Sequence, residues 1–439
     1  MRVKKEVQTV IQKLETAGFE AYAVGGAVRD SLLGNEPFDW DVTTSALPQQ
    51  VMDLFGEDAI PTGVKHGTVT VLCHGERIEV TTYRKDGDYA DHRHPVAVEF
   101  TPSLKEDLQR RDFTVNAMAL TTEGEVVDPF GGEEDLKNGV LRAVGNAAQR
   151  FEEDALRILR GLRFASVLDF TVEEQTARAM REKKELLREI AAERVLEELT
   201  KLLCGKAVRR VLMDFSDVLA VVLPEIIPSV GFDHRNPHHC YDVWEHTACA
   251  VENIPPQPLL RWVMLLHDLG KPAVCVYDHA AGKARYGGHQ AASVELAKNI
   301  LPRLRFDSES TRRILWLVEH HDRLFDPTEK SIRRMLRLCG EEDLRALIHI
   351  RRADNLAQHP DFHGRQEELA ACDVVLEKVL QEQQCFSLAQ LAVNGRDMIA
   401  IGLNGKAIGE MLNTLLTEVV EERLPNEKEA LLAAAKERA

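Results

Sequence analysis

"VGGAVRDSLLGNEPFDWDV", residues 24–42, sets a glycine pair, an Arg-Asp step and two aspartates separated by one tryptophan close together in the chain. The apolar run before Gly25 and Gly26 reads as a short strand, and the segment after them as a helix ending at Gly34. "FDWDVTT", residues 38–44, reads as a second strand. Side chains alternate along a strand, so Asp39 and Asp41 are expected on one face, roughly 7 Å apart. Two carboxylates so placed repel unless a cation lies between them, and Mg²⁺ takes such a pair together with substrate phosphates. Alone, the pair is an ordinary solvated strand face. Gly25 and Gly26 change that reading, because a strand-to-helix turn brings backbone N–H groups and a helix N-terminus to an anion. Arg29 and Asp30 follow in the first turn. A phosphate cradle ahead of a two-metal carboxylate pair describes nucleotidyl transfer. Glu79 in "RIEVTT" is a third candidate carboxylate, from a neighbouring strand.

Outward from this stretch, the first 140 or so residues read as α/β. A helix is expected over about 3–17. "GTVTVLCHGERIEVTTYR", residues 67–84, gives two alternating runs about a glycine turn, a hairpin pattern. "DPFGGEEDL" reads as the exit from this domain. From about 146 helical periodicity takes over, broken at "LPEIIPS", "NIPPQPLL" and "FDPTEK". The expected fold class is α+β, a mixed-sheet head followed by helical modules.

The 439 residues suggest several domains. No apolar run approaches the roughly 20 residues that span a bilayer. The N-terminus reads as an amphipathic helix, not a signal peptide. Eight cysteines without CxxC spacing favour free thiols in a reducing cytoplasm. A net charge of −16 argues by itself against a nucleic-acid partner, yet residues 141–210 carry 15 Lys/Arg against 12 Asp/Glu. A local basic surface is therefore expected there.

"VGGAVRDSLLG…FDWDVTT", "LQRRDFTVNAMAL", "DPFGG" and "EDALRILRGLRFA" together resemble the bacterial class II tRNA nucleotidyltransferases, the CCA-adding enzymes, over residues 20–200. The resemblance implies a polymerase-β-like head (1–140), a helical neck (141–235), and a C-terminal body and tail (363–439) that holds tRNA. It implies that Asp39 and Asp41 bind Mg²⁺, and that Gly25, Gly26 and Arg29 hold the incoming CTP or ATP. Arg111 suits triphosphate oxygens. Asp112 and Asn116, four apart, could line one side of the sugar and base pocket.

Leu156, Leu159 and Leu162 repeat every three residues, as do Asp154, Arg157, Arg160 and Arg163. On their own the charges form a solvated helix face with an i,i+3 ion pair. A carboxylate beside a guanidinium also complements the edges of both cytosine and adenine, whereas uracil and guanine present the wrong groups, at roughly 1–3 kcal/mol per bidentate pair. The resemblance gives Asp154 and Arg157 this templating role, with Arg160 and Arg163 near phosphates or extending it. The polar stretch "YRKDGDYADHRHP", residues 83–95, reads as a loop that in the family helps switch from C to A addition. Its "DHRHP" departs from the family's "DGRRP".

His246, His267-Asp268 and Asp354 are similar to the ordered signature of HD-type metal phosphohydrolases, placing an HD module at 236–362. Imidazoles with carboxylates suit Mn²⁺, Fe, Ni²⁺ or Mg²⁺. His289, His320 and His321 could add ligands for a second ion. The tail "LNGKAIGEMLNTLLTEVVEERLPNEKEALLAAAKE" reads as amphipathic helices. Candidates for the tRNA acceptor stem are Arg178, Arg181, Lys183, Lys184, Lys201, Lys206, Arg209 and Arg210, because duplex RNA is read through shape and phosphates. The expected function is addition of C, C and A to the tRNA 3′ end. A partial A- or CC-adding enzyme, a poly(A) polymerase and an HD phosphohydrolase remain as alternatives, and the oligomeric state is left open.

Overall fold

The computed structural model describes residues 3–86 and 98–438. The segment 87–95 of the expected switch loop lies outside the described residues. The chain divides into two compact units, 1–224 and 225–439, a coarser division than the four modules expected from sequence.

The first unit opens with α1 (Lys5–Thr16), which buries Val7, Val10, Ile11 and Leu14 as an amphipathic stripe. Strand β1 (Ala21–Val24) leads through Gly25, at φ 80°, into α2 (Gly26–Leu32). Strand β2 (Asp41–Thr44) and α3 (Pro48–Phe55) follow. Then come β3 (Ala59–Gly63), β4 (Thr68–Cys73), β5 (Glu76–Thr82), the short pair β6 (Arg84–Asp86) and β7 (Val98–Phe100), β8 (Ala119–Leu120) and β9 (Val126–Val127). Seven strands form one mixed sheet in the order β3-β4-β5-β2-β1-β8-β9, with β2 and β5 parallel. The hairpin β4–β5 turns on His74 and Gly75, both at positive φ, the conformation a two-residue hairpin loop requires.

The second strand is shorter than its sequence suggests. Residues 38–44 were expected in it, but pairing begins at Asp41, opposite Val24. The positive φ of Gly25 ends β1 there and turns the chain into α2, so Asp39 has no β1 residue to pair with. Asp39 therefore lies ahead of the strand. On the other side Asp41 sits opposite Glu79, Glu79 opposite Thr70, and Thr70 opposite Ile60. That register lines four side chains in one row across four strands.

Beyond the sheet come α4 (Leu104–Gln109), a 3₁₀ turn at Thr114–Asn116, α5 (Gly132–Asn138), α6 (Ala147–Glu153) and α7 (Leu156–Leu168), which buries Leu156, Leu159 and Leu162. Helix Ala192–Leu203 packs along α7.

The second unit is almost wholly helical. Helices Val243–Asn253, Pro258–Leu266, His289–Arg303 and Ser308–His320 pack with the long Glu329–Leu356, which is interrupted at Gly340 (φ 78°). The C-terminal segment has its own core, in which Leu415, Leu416 and Val420 meet Met398 and Leu431. Among the described residues no helix is long and apolar enough to cross a membrane, and all eight cysteines are free.

Gly132 sits against the turn that carries Asn116. A Cβ there would stand 2.3 Å from the Thr114 carbonyl oxygen, a backbone atom that cannot step aside. Gly132→Ala is expected to cost about 1–3 kcal/mol in thermal unfolding, as overpacking a tight site does. An unchanged melting temperature would show that this turn is not tightly held.

Candidate functional site

The head site is built around three adjoining groups. The first is the glycine turn. Gly25 holds a φ that L-residues rarely adopt, and a Cβ on it would lie 3.1 Å from an Arg111 guanidinium nitrogen. Because α2 has only two turns, the positive charge at this bend comes mainly from arginines. Arg111 is half-buried, with its Nη2 3.6 Å from the wholly buried Asp107. Its Nε is buried and has no acceptor among the described residues. Such an orphaned donor costs about 1–3 kcal/mol unless a ligand satisfies it.

The second group is the acidic row. Asp39, Asp41 and Glu79 line an open cleft of about 650 Å³ together with Trp40, Ile60, Thr62, Thr70 and Arg77. The surrounding protein raises the Asp41 carboxyl, Arg111 pulls it down, and the charges of Glu79 and Asp39 push it up again. Asp41 is nonetheless solvent-exposed, so water screens part of each influence. Among the described residues the three carboxylates do not converge within 4.8 Å as a closed cage. An open set of this kind suits Mg²⁺, which keeps positions for substrate phosphates.

The third group is a buried polar chain. The Arg29 Nη1 donates to the Asn116 side-chain oxygen at 2.6 Å, and the Asn116 amide donates to Asp112 Oδ1 at 3.1 Å. Asp112 Oδ2 accepts from Arg160 at 2.8 and 2.6 Å. Burial would raise Asp112, but Arg160 and the Asn116 amide hold it down to about 2. The rings and cations of this region stack as well. Arg29, Arg160 and Arg163 lie 5.0, 5.5 and 4.1 Å from the centroid of Phe164. Asn116 and Asp112, expected to line the pocket, thus anchor Arg29 and Arg160.

Asp154 and Arg157 meet through the backbone, where the Arg157 N–H donates to the Asp154 carbonyl at 3.0 Å, while their side chains take other partners. Arg157 donates to Glu153 at 2.8 Å and to the carbonyls of Arg150 and Arg110 at 3.1 and 2.9 Å. Asp154 accepts the Leu156 N–H at 3.1 Å and lies 3.4 Å from Arg194. Arg163 pairs with Glu198 rather than along its own helix. The i,i+3 ion pairs expected on this face therefore give way to partners from neighbouring segments. The basic excess at 141–210 is also less bare than expected. Arg181, Lys183, Lys184, Lys201 and Arg210 are in ion pairs with Asp217, Glu152, Asp217, Glu197 and Asp169. Arg178 and Lys206 are exposed.

The second unit brings its expected ligands together. His246, His267, Asp268 and Asp354 offer atoms within 4.8 Å of one another, and so do Asp268, His289 and His321. Asp268 Oδ2 faces His246 and His267 at 3.3 and 3.1 Å, whereas Oδ1 faces His289 and His321 at 3.5 and 3.8 Å. Each of the four histidines turns Nδ1 to a backbone carbonyl, of Ala357, Met264, Tyr286 and Val318 respectively. A carbonyl only accepts, so Nδ1 carries the proton and Nε2 is aimed inward as a ligand. Among the described residues His267 Nε2 and both Asp268 oxygens have ion-pair contacts and no hydrogen-bond partner. Burial lowers His267, but Asp268 and Asp354 push it up to about 10, the mark of a centre short of positive charge.

His320 does not join them. It stacks on Trp316 at 4.2 Å and turns Nδ1 to the Trp316 carbonyl, because neighbouring positions at a helix end point to different sides. Three residues missing from the sequence reading join this site. Lys271 Nζ lies 2.6 Å from Asp268, His234 lies 3.4 Å from Lys271, and His239 stacks on His234 at 3.7 Å. The histidine-rich "FDHRNPHHC" just before "WEHT" was the available signal. Asp107 was also missed. It takes Thr43, Arg110 and Arg111, a grouping that the i,i+3 and i,i+4 spacing of "DLQRR" allows.

The poly A polymerase head domain family matches residues 21–142, and a probable RNA and SrmB-binding site of polymerase A matches 169–229. A putative domain 2 of tRNA nucleotidyltransferases matches 293–435. The chain is 36% identical to the CCA-adding enzyme of Levilactobacillus brevis over 97% of its own length and 96% of that protein's. It is 33% identical to that of Enterococcus faecalis, over 98% and 95%. The crystal structure of the Bacillus stearothermophilus CCA-adding enzyme in complex with CTP superposes with a TM-score of 0.74 at 30% identity, covering 99% of this chain and 97% of that one.

Asp112 makes acid stability a direct reading of the buried chain. Its folded value lies below the ordinary 3.8, so its contribution is present above about pH 4 and is lost as pH falls toward 2. The difference is worth roughly 2 kcal/mol. Asp112→Asn is expected to lose stability of that order at pH 7 and to flatten acid unfolding between pH 4 and 2. A variant with the parent's acid profile would show that Asp112 is not held ionised.

Proposed function

The chain belongs to the CCA-adding enzymes, and we propose that its head adds C, C and A to the 3′ end of tRNA from CTP and ATP, without a nucleic-acid template, in a reducing cytoplasm. The observation that carries this reading is Arg111, wedged between the glycine turn and the acidic row with a buried Nε that none of the described residues satisfies. A nucleotide phosphate is the acceptor that fits it. Arg29, fixed by Asn116 and Asp30, is the second cation toward the triphosphate.

In the transfer, the RNA 3′-oxygen forms a bond to the α-phosphorus, the bond to the β-phosphate side breaks, and pyrophosphate leaves. Asp39 and Asp41, with Glu79 beside them, would hold Mg²⁺, which when bound would neutralise charge developing in the transfer. The chain's own residues orient the reactants. Asp154 accepts the exocyclic amino group shared by cytosine and adenine, and Arg157 donates to the neighbouring ring acceptor. Glu153 and the carbonyls of Arg150 and Arg110 hold the guanidinium in its plane. Wrong bases leave these groups unpaired.

A second reading rests on a separate observation, the four inward-facing Nε2 atoms around a two-sided Asp268. His246, His267, Asp268, Asp354, His289 and His321 would hold divalent metal here. With metal bound the centre would activate water against a phosphate ester. A phosphomonoesterase or cyclic phosphodiesterase acting on RNA 3′ ends is the activity proposed for it.

Two experiments test these readings. A tRNA lacking its last three nucleotides is incubated with Mg²⁺ and CTP, ATP, or both. Both nucleotides are expected to restore CCA, and a product stopping at two C residues would mark a CC-adding enzyme. Asp39→Ala and Asp41→Ala are expected to lower extension at least 100-fold while tRNA binding persists. For the second site, elemental analysis of the purified protein is expected to find bound transition metal or Mg²⁺ that Asp268→Ala loses. Hydrolysis of p-nitrophenyl phosphate should fall in parallel. Metal content unchanged by that substitution would overturn the assignment.

A further inference from the structure

A two-stranded hairpin stands against the second unit's centre without supplying a ligand to it. It pairs Val276 with Arg285, Tyr277 with Ala284 and Asp278 with Lys283, and in the chain it lies between Lys271 and His289. The buried Ala284 donates its N–H to the Arg235 carbonyl at 2.8 Å, and the Tyr286 hydroxyl donates to the His234 carbonyl. Lys271 Nζ lies 5.6 Å from the centroid of the Tyr286 ring. The hairpin is thereby pinned to the segment that brings His234 and His239 to the centre. Tyr277 shares a face with Ala284, yet it stays 38% exposed, and Val276 beside it is 66% exposed. The Arg235 guanidinium lies 6.0 Å from the Tyr277 centroid, and His279 meets the ring at 5.0 Å and 80°. Arg235 holds φ 45°, a left-handed conformation that residues with a side chain seldom take, and Asp233 fixes its N–H at 2.8 Å. Such strain persists where its surroundings impose it, and it gathers at ligand sites.

An open ring with a guanidinium beside it is how a protein holds single-stranded nucleic acid, the ring taking a base and the cation a backbone phosphate. Bases of a duplex are already stacked, and an acidic peptide would leave the ring unused. We propose that this hairpin is a stacking platform for the last base of a single-stranded RNA whose terminal phosphate ester enters the adjoining centre. Tyr277 stacks on that base, and Arg235 meets the phosphodiester that precedes it. The platform is indifferent to base identity, because every base presents a π-face. It gives the centre a preference for nucleotide esters over esters without a base, which metal and its ligands alone do not supply.

The inference rests on the phosphoesterase reading of that centre, and two measurements keep them apart. In the first, metal-stripped full-length protein is irradiated with a short single-stranded RNA ending in iodouridine 3′-phosphate, a base that cross-links to a ring stacked on it, and the adduct is mapped by mass spectrometry. An adduct on Tyr277 is expected, and adducts confined to the first unit would overturn the inference. In the second, hydrolysis by the metal-loaded protein is followed with adenosine 3′-phosphate and with glycerol phosphate, which has no base. Tyr277→Ala is expected to raise the KM for the nucleotide, relative to that for glycerol phosphate, roughly 5-fold or more, as loss of one base–aromatic stack does. Metal content and melting temperature should not move. Tyr277→Phe should restore the preference and Tyr277→Leu should not, and a Leu variant equal to Phe would overturn the stacking role. Arg235→Ala should raise the KM for a dinucleotide 3′-phosphate more than that for adenosine 3′-phosphate, and equal effects on the two would remove Arg235 from the phosphodiester. Parent protein that hydrolyses neither ester would instead overturn the phosphoesterase reading, while the cross-link still decides the platform.

Discussion

The head depends on one buried carboxylate. Asp112 is almost closed off from water, and the guanidinium of Arg160, the Asn116 amide, the Phe113 N–H and the nearby charge of Arg157 make its charge tolerable there. Through Asn116 it reaches Arg29 on α2, and through Arg160 it reaches α7. Helix α2, which joins the antiparallel strands β1 and β2, and helix α7, which carries Arg157, are thereby tied by side chains, not by backbone pairing. Loss of one member would leave buried charges without partners, so the chain stands or falls together. Phe164 adds an apolar plate on which three of these arginines lie.

The two candidate centres solve the same problem, concentrating negative charge for a cation, in opposite ways. The head spreads Asp39, Asp41 and Glu79 along an open cleft and leaves the shell to be completed by phosphates. The site in the second unit closes its ligands inward, with Asp268 presenting one oxygen to each side. There the backbone does the orienting. Four carbonyls take the Nδ1 protons and leave four Nε2 atoms facing the centre. Lys271 holds Asp268 from a further side, at 2.6 Å.

Much of this was legible in local patterns. The hairpin at 68–82 follows from alternation about a His-Gly turn that needs two positive φ angles. The buried stripe Leu156, Leu159 and Leu162 follows from its period. Glu79 could be suspected beside Asp41 because both lie in short alternating strands, but its registry came only with the parallel pairing of β2 and β5. The periodic charges on α7 misled in one respect. Their spacing pointed to ion pairs along the helix, yet Arg157, Arg160 and Arg163 reach Glu153, Asp112 and Glu198, all of which lie outside α7. His320 was grouped with His321 by adjacency alone, and the rotation at the helix end separates them.

The sequence by itself determined the family, the order of the elements and the residue types that chemistry needs, because these reside in composition, period and spacing over short distances. Only the tertiary structure decided which of those residues meet. Asp39 leaves its strand because Gly25 ends the partner strand. Arg111 arrives at the glycine turn across more than 80 residues of chain. His234, His239 and Lys271 join a centre whose other ligands lie as far away as Asp354. Contacts between residues so distant depend on register and packing, and no local pattern carries that information.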